Sequence, residues 1–173
     1  MRVVAGIARG RRLVAPKGDK TRPTSDFVRE AIFNSLGSVC DLEGAKVLDL
    51  FAGTGALGIE ALSRGAEHAT FVESDRQALV ALRANLATTG FDGRATVVPT
   101  DVTHTPELPA VDVAFADPPY AFAGWPTLLT RLDAALVVVE SDREIEPPDG
   151  LRVLRSRRYG TTVVTLISPR SSP

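Results

Sequence analysis

The sequence predicts an α/β fold: a doubly wound, mostly parallel seven-stranded sheet with an antiparallel C-terminal edge hairpin and a small N-terminal β-hairpin arm. Three observations carry that expectation. From residue 45 onward, short apolar, β-branched runs alternate with segments of helical periodicity. A glycine-rich turn, Gly53-Thr54-Gly55, directly follows the first of those runs. The chain closes on two β-rich runs around Gly160, which suit a hairpin.

Arg2–Ile7 and Arg11–Ala15 are β-rich pieces joined by Ala8-Arg9-Gly10, a small basic hairpin or arm. Pro16 to Pro23 is a polar connection. A helix is expected from Thr24 or Ser25, with Pro23 ahead of it. Asp26 falls in its first turn, where a carboxylate meets the positive end of the helix dipole. Phe27, Val28, Ala31, Ile32 and Leu36 recur at helical spacing, and Gly37 is the stop. Strands are then expected at Lys46–Leu50, Ala69–Val72, Ala95–Val98, Val111–Ala116 and Leu136–Glu140. Helices are expected at Ala56–Arg64, Arg76–Thr88 and Trp125–Leu132. Strands this short and apolar are those that helices cover on both faces. Right-handed crossovers then open a ligand crevice at the strand C-termini. Leu151–Tyr159 and Thr161–Ser168 form the edge hairpin, and the tail beyond frays. The expected division is a basic arm over 1–23 and a main domain over 24–173.

A chain of 173 residues, 44% apolar and 24% charged, suits one soluble domain. No stretch approaches the roughly 20 apolar residues that span a bilayer. The N-terminal arginines precede no apolar block of signal type, and Cys40, the single cysteine, forms no internal disulfide. Together these point to the cytoplasm. The net charge of −1 hides an asymmetry: residues 1–22 carry +6, residues 23–151 carry −12, and residues 152–173 carry +5. Basic ends around an acidic middle favour a polyanionic partner over arginines that merely solubilise exposed hairpins.

The run Asp49-Leu50-Phe51-Ala52-Gly53-Thr54-Gly55-Ala56-Leu57-Gly58 contains G-x-G-x-x-G between a strand and a helix. Glycines there permit a tight turn and close approach to a ligand, and the match alone suits NAD equally. Asp49, at the strand end, favours a cationic ligand such as the ammonium of a methionine moiety over a pyrophosphate. Glu73 ends the next strand and is placed to accept both ribose hydroxyls. Asp75 reads as the N-cap of the following helix. Asp101 follows the third strand; taken alone it is as easily a solvated loop acid as an acceptor for an adenine amino group. Acids at three successive strand ends are harder to explain as solvated loops. Asp49, Phe51, Gly53, Gly55, Glu73 and Asp101 are therefore the candidate cofactor-binding set, and S-adenosylmethionine the candidate cofactor.

Ala114-Phe115-Ala116 leads into Asp117-Pro118-Pro119-Tyr120 at the mouth of the same crevice. Adjacent prolines fix φ and remove two donors, leaving carbonyls as acceptors. An exocyclic NH₂ offers two donors, one for Asp117 and one for the Pro118 carbonyl, while Tyr120 supplies a flat stacking face. Accepting those hydrogens orients the amine and offsets charge developing on it. Asp117, Pro118 and Tyr120 are the candidate catalytic residues. His68 and His104 lack metal-ligand spacing, so no metal is expected. No Gly-x-Ser-x-Gly elbow and no P-loop lysine are present. Trp125 is read as core or crevice wall, and the acidic run Glu140 to Glu146 as a solvated loop.

With these motifs the chain resembles the class I S-adenosylmethionine-dependent methyltransferases, with their Rossmann-like sheet. More closely it resembles the bacterial 16S rRNA (guanine-N2)-methyltransferase D family. The resemblance rests on Arg2-Val-Val-Ala-Gly-Ile-Ala-Arg-Gly-Arg-Arg-Leu and Thr21-Arg-Pro-Thr-Ser-Asp-Phe-Val-Arg-Glu-Ala-Ile-Phe-Asn. It continues through Asp49-Leu-Phe-Ala-Gly-Thr-Gly, Val72-Glu-Ser-Asp and Asp117-Pro-Pro-Tyr. It implies methylation of guanine N2, at guanine 966, in 16S rRNA within the small ribosomal subunit, by a monomer. It also implies that Arg9, Arg11, Arg12 and Arg22 grip rRNA phosphates, that a flipped guanine sits against Asp117, Pro118 and Tyr120, and that the segment around Thr24 closes over the cofactor. The segment Arg157-Arg158-Tyr159-Gly160-Thr161-Thr162 departs from the family pattern, which leaves the edge hairpin's share of RNA contact open. Adenine N6 in DNA or RNA remains an alternative target. An NAD-binding oxidoreductase, and an RNA-binding module without activity, remain alternative functions.

Overall fold

The computed structural model describes residues 1–16, 26–105 and 107–170. Helix α1 spans Asp26–Leu36; the expected start at Thr24 or Ser25 lies outside the described residues. There follow β1 (Lys46–Leu50), α2 (Ala56–Ser63), β2 (His68–Val72), α3 (Arg76–Thr89), β3 (Ala95–Val98) and β4 (Val111–Ala116). Helix α4 (Trp125–Arg131), β5 (Ala134–Ser141), β6 (Leu151–Tyr159) and β7 (Thr162–Pro169) complete the chain.

The strands form one seven-stranded sheet in the order β3-β2-β1-β4-β5-β7-β6. The first five are parallel, and β7 runs antiparallel between β5 and the edge strand β6. The expected doubly wound sheet with its antiparallel edge is what forms. Two apolar clusters cover the faces. One packs Phe33, Leu62, Phe71 and Leu82 against Phe115 and Val138, and the other packs Leu128 and Leu129 against Leu48, Ala114 and Val137. Sequence order reverses between β1 and β4, so chains leaving their C-terminal ends diverge to opposite sides and a crevice opens there. No helix among the described residues is long and apolar enough to cross a membrane.

The N-terminal segment differs from two paired strands. It keeps one antiparallel bridge, Arg2 with Arg12, together with N–H donation from Val3 to the Arg11 carbonyl and from Leu13 to the Met1 carbonyl. Its remaining backbone groups turn to the body instead. The N–H groups of Val4 and Ala5 donate to the Glu60 carboxylate at 2.7 and 2.9 Å. Ala8 N–H donates to Ser63 Oγ, and Asn85 exchanges two hydrogen bonds with Val14. Val3, Ala8 and Leu13 are buried. Gly6 sits at φ 78°, and a Cβ there would fall 1.8 Å from the Ser63 carbonyl oxygen, so only glycine permits this approach.

Candidate active site

The two motifs leave adjacent strands at the same level. Leu50 of β1 pairs with Ala116 of β4, so Phe51 and Asp117 are the first residues beyond the sheet on neighbouring chains. Phe51 takes φ 58°, a left-handed conformation rare for a residue with a Cβ, and its ring packs edge-on to Phe122 at 5.2 Å. Phe122 in turn meets the buried Trp125, which belongs to the core and does not line the cavity, so of the two expectations for it core is the one that holds. The loop 117–122 is closed by donation from Phe122 N–H to the Pro119 carbonyl. Arg143 braces it from outside, donating to the carbonyls of Tyr120 and Phe122.

These loops border a cavity of about 980 Å³, at the upper end of the range for ligand pockets. Asp49, Phe51, Gly53, Glu73, Asp101, Asp117, Pro118 and Tyr120 all line it. Gly55 is not among its lining residues: at φ 77° it forms the strand-to-helix turn, and a Cβ there would lie 2.3 Å from Leu82 Cδ1. The glycine's work is the turn and its packing. Met1, Ala15, Phe27 and Val28 close one side, and Tyr159, Gly160, Thr161 and Thr162 another. Arg9, Arg11 and Arg12 stand exposed on the docked N-terminal segment, outside the cavity. Arg22 lies outside the described residues.

Asp49 is 1% exposed, and its Oδ2 accepts the Gly58 N–H at 2.8 Å. Burial pushes its carboxyl well above the ordinary value, the Gly58 hydrogen bond pulls the other way, and the charges of Asp117 and Glu73 add to the rise. A raised folded value means a contribution to stability that is complete below the ordinary carboxylate range and lost as pH rises through the folded value. Asp49→Asn keeps an acceptor for Gly58 and removes the buried charge. It should raise the Tm of the ligand-free protein by a few degrees at neutral pH, and weaken a cationic ligand about tenfold or more. Thermal unfolding and calorimetry check both signs.

Glu73 gathers three backbone donors: Gly53 N–H on Oε2, and Ser74 and Asp75 N–H on Oε1. It therefore ties the first loop to the end of β2. Asp75 caps α3, accepting the Ala78 N–H at 2.8 Å. Asp101 is exposed, and hydrogen bonds from the Thr103 hydroxyl and N–H hold its carboxyl below the ordinary range, with a smaller contribution from His104.

The sequence places Glu140 in a solvated acidic run, and the structure corrects that. The side chains of Asp142, Glu144 and Glu146 are exposed, but Glu140 is 6% exposed and lines the cavity. It ends β5 as Asp49 ends β1, so the pattern of acids at strand ends was the signal for it. Counting Asp75, the wall carries six carboxylates, and no Lys, Arg or His among the described residues lines it.

Fold and crevice together define a Rossmann-like methyltransferase. The family model described as "Conserved hypothetical protein 95" matches residues 1–168. YlbH of Bacillus subtilis is 40% identical, covering 98% of this chain and 100% of its own length. "Ribosomal RNA small subunit methyltransferase D" of Escherichia coli is 40% identical over 157 residues, 83% of this chain and 76% of that protein. The solved structure of yhhF from Escherichia coli superposes with a TM-score of 0.85 at 35% identity, covering 99% of each chain. The chain belongs to the ribosomal RNA small subunit methyltransferase D family.

Proposed function

We propose that this chain transfers a methyl group from S-adenosylmethionine to the exocyclic N2 of a guanine in 16S rRNA of the small ribosomal subunit, guanine 966 by the resemblance drawn from its sequence. The observation that carries the reading is the cavity wall, which gathers six carboxylates among apolar residues and is bordered by the Asp117-Pro118-Pro119-Tyr120 loop. A wall with this many carboxylates favours ligands that bring positive charge and N–H or O–H donors. They disfavour the pyrophosphate of a nicotinamide cofactor. Gly58 N–H, a donor in the first turn of α2 that a pyrophosphate would use, is already taken by Asp49.

The wall fits S-adenosylmethionine on that chemistry. Asp49 and the Gly53 loop would hold its methionine end, Glu73 its ribose hydroxyls and Asp101 its adenine amine, with Phe51 packing beside it. When bound, the cofactor supplies an electrophilic methyl carbon on a positively charged sulfur. Asp117 and the Pro118 carbonyl accept the two hydrogens of the base amine and aim its nitrogen. Tyr120 offers a stacking face; the residue is 40% exposed at the cavity edge, and its hydroxyl lies 3.4 Å from Thr162 Oγ1. As the nitrogen gains its bond to carbon it becomes positive, and the Asp117 carboxylate stabilises that charge and takes the released proton.

The rRNA target is supported by the names of the relatives and by the exposed Arg9, Arg11 and Arg12 of the segment 1–23. Reversing the charges of Arg11 and Arg12 should weaken rRNA binding and lower its salt slope by about 2, with S-adenosylmethionine affinity intact. Binding titrations at several salt concentrations test this, and unchanged RNA affinity removes these arginines from the interface. The central test is labelled-methyl transfer to small subunits from a strain lacking this protein. N2-methylguanine is the expected nucleoside, and N6-methyladenine would replace the reading with its nearest alternative.

A further inference from the structure

We infer that Glu140 is the residue that selects guanine, its carboxylate accepting the N1–H that lies beside the reacting amine on the base. The inference rests on the base-amine reading of the Asp117 loop and gives it a means of discrimination.

Parallel pairing sets the position. Phe115 of β4 pairs with Val138 of β5, and Ala116 pairs with Val139. The next residue along each chain is Asp117, just past β4, and Glu140, still within β5, so the two acids emerge at neighbouring strand ends. Both line the cavity, together with Tyr120, Thr161 and Thr162. On its other side, Glu140 pairs with Val164 of β7, which fixes its backbone within the sheet. Its neighbour in sequence, Arg143, turns outward to the loop carbonyls. Glu140 is thus a rigidly mounted acceptor one strand away from the group proposed to hold the amine.

The chemistry of amino bases makes such an acceptor selective. In guanine the ring nitrogen beside the amine, N1, carries a hydrogen and donates. In adenine N1, and in cytosine N3, the nitrogen beside the amine carries none and accepts. A carboxylate placed one step from the amine holder therefore completes a donor pair with guanine. Against adenine or cytosine it sets lone pair against lone pair in a site shielded from water. The Asp117 loop reads only the amine, which all three bases share. Accepting from N1–H also pushes electron density into the ring and strengthens N2 as a nucleophile.

The test uses small subunits reconstituted with 16S rRNA that carries either guanine or 2,6-diaminopurine at the mapped target. Diaminopurine keeps the 2-amine but turns N1 into an acceptor. The wild-type enzyme should favour guanine by about 100-fold in kcat/KM, a loss typical of a mispaired charged hydrogen bond. Glu140→Gln, which offers N–H to an acceptor, should lose about 100-fold on guanine and narrow the preference to less than about tenfold. Its cofactor affinity should stay at the wild-type value and its far-ultraviolet circular dichroism should match, which separates recognition from folding. Glu140→Asp should keep the preference at a lower rate. Equal wild-type rates on the two bases, or an unchanged ratio in Glu140→Gln, overturn the assignment while N2-methylguanine remains the product. N6-methyladenine as the wild-type product overturns the assignment and the guanine reading together.

Discussion

Asp117→Ala is expected to lower kcat for methyl transfer by about 10²–10⁴-fold and to leave S-adenosylmethionine affinity within a few-fold. The split follows from position. Asp117 leaves β4 one residue past the Leu50–Ala116 pair and lines the cavity beside the proline turn, whereas the Gly53 loop and Glu73 belong to β1 and β2. Its charge adds to the rise of the Asp49 carboxyl, behind burial and the opposing Gly58 hydrogen bond, so its removal acts there as a mild correction. Asp117→Asn refines the result. The amide keeps an acceptor for the base hydrogen but not a charge or a proton site. A loss near that of alanine assigns proton acceptance, and a loss of less than about tenfold assigns orientation. Single-turnover rates with calorimetric cofactor affinity decide it, and wild-type kcat in Asp117→Ala removes the residue from the mechanism.

Glu60→Ala should cost about 3–5 kcal/mol of stability, the range for removing one member of a buried charge network. Glu60 is fully buried on α2 and receives the N–H groups of Val4 and Ala5 and Arg64 Nε at 2.8 Å. Arg29, itself fully buried, faces it at 3.7 Å and also binds Asp26 at 2.7 Å and the Arg2 carbonyl. Alanine would leave a buried guanidinium without its nearest buried carboxylate, and two amides without acceptors. Because those amides belong to the N-terminal segment, the loss should be local first. Hydrogen exchange should accelerate over residues 3–13 before the sheet responds. Denaturant unfolding gives the total, and a loss below about 1 kcal/mol would contradict the network's role.

The parallel core was legible because its signals are local. Lys46–Leu50, Ala95–Val98 and Val111–Ala116 fold with the expected bounds. Each is a short run with turn residues or polar residues at its ends. Strand β5 begins at Ala134, two residues before the expected start, because Ala134 pairs with Val111; alanine's weak strand preference hid a choice made by the partner strand. The N-terminal segment was less legible for the same reason. Its alternation implied a two-stranded ladder, but Glu60, Ser63 and Asn85 take its backbone groups, and side chains on distant helices leave no mark in the segment itself. In the crevice, Asp49, Glu73 and Asp101 were legible as acids at successive strand ends, and Asp117 through the proline turn it opens. Glu140 met the same criterion and was missed because the acids after it drew it into a charge run.

Sheet register carries one more consequence. The rung Leu50–Ala116–Val139 sets the height at which both loops emerge, and side chains alternate faces along each strand. Residues gained or lost beside the exposed Pro109 and Ala110, past Asp101 and Thr103, change only the length of a connection. A single residue inserted between Val111 and Asp117 would turn the carboxylate toward the opposite face and raise it about 3.3 Å. Drift in length is thus tolerable in that connection where drift in strand length is not.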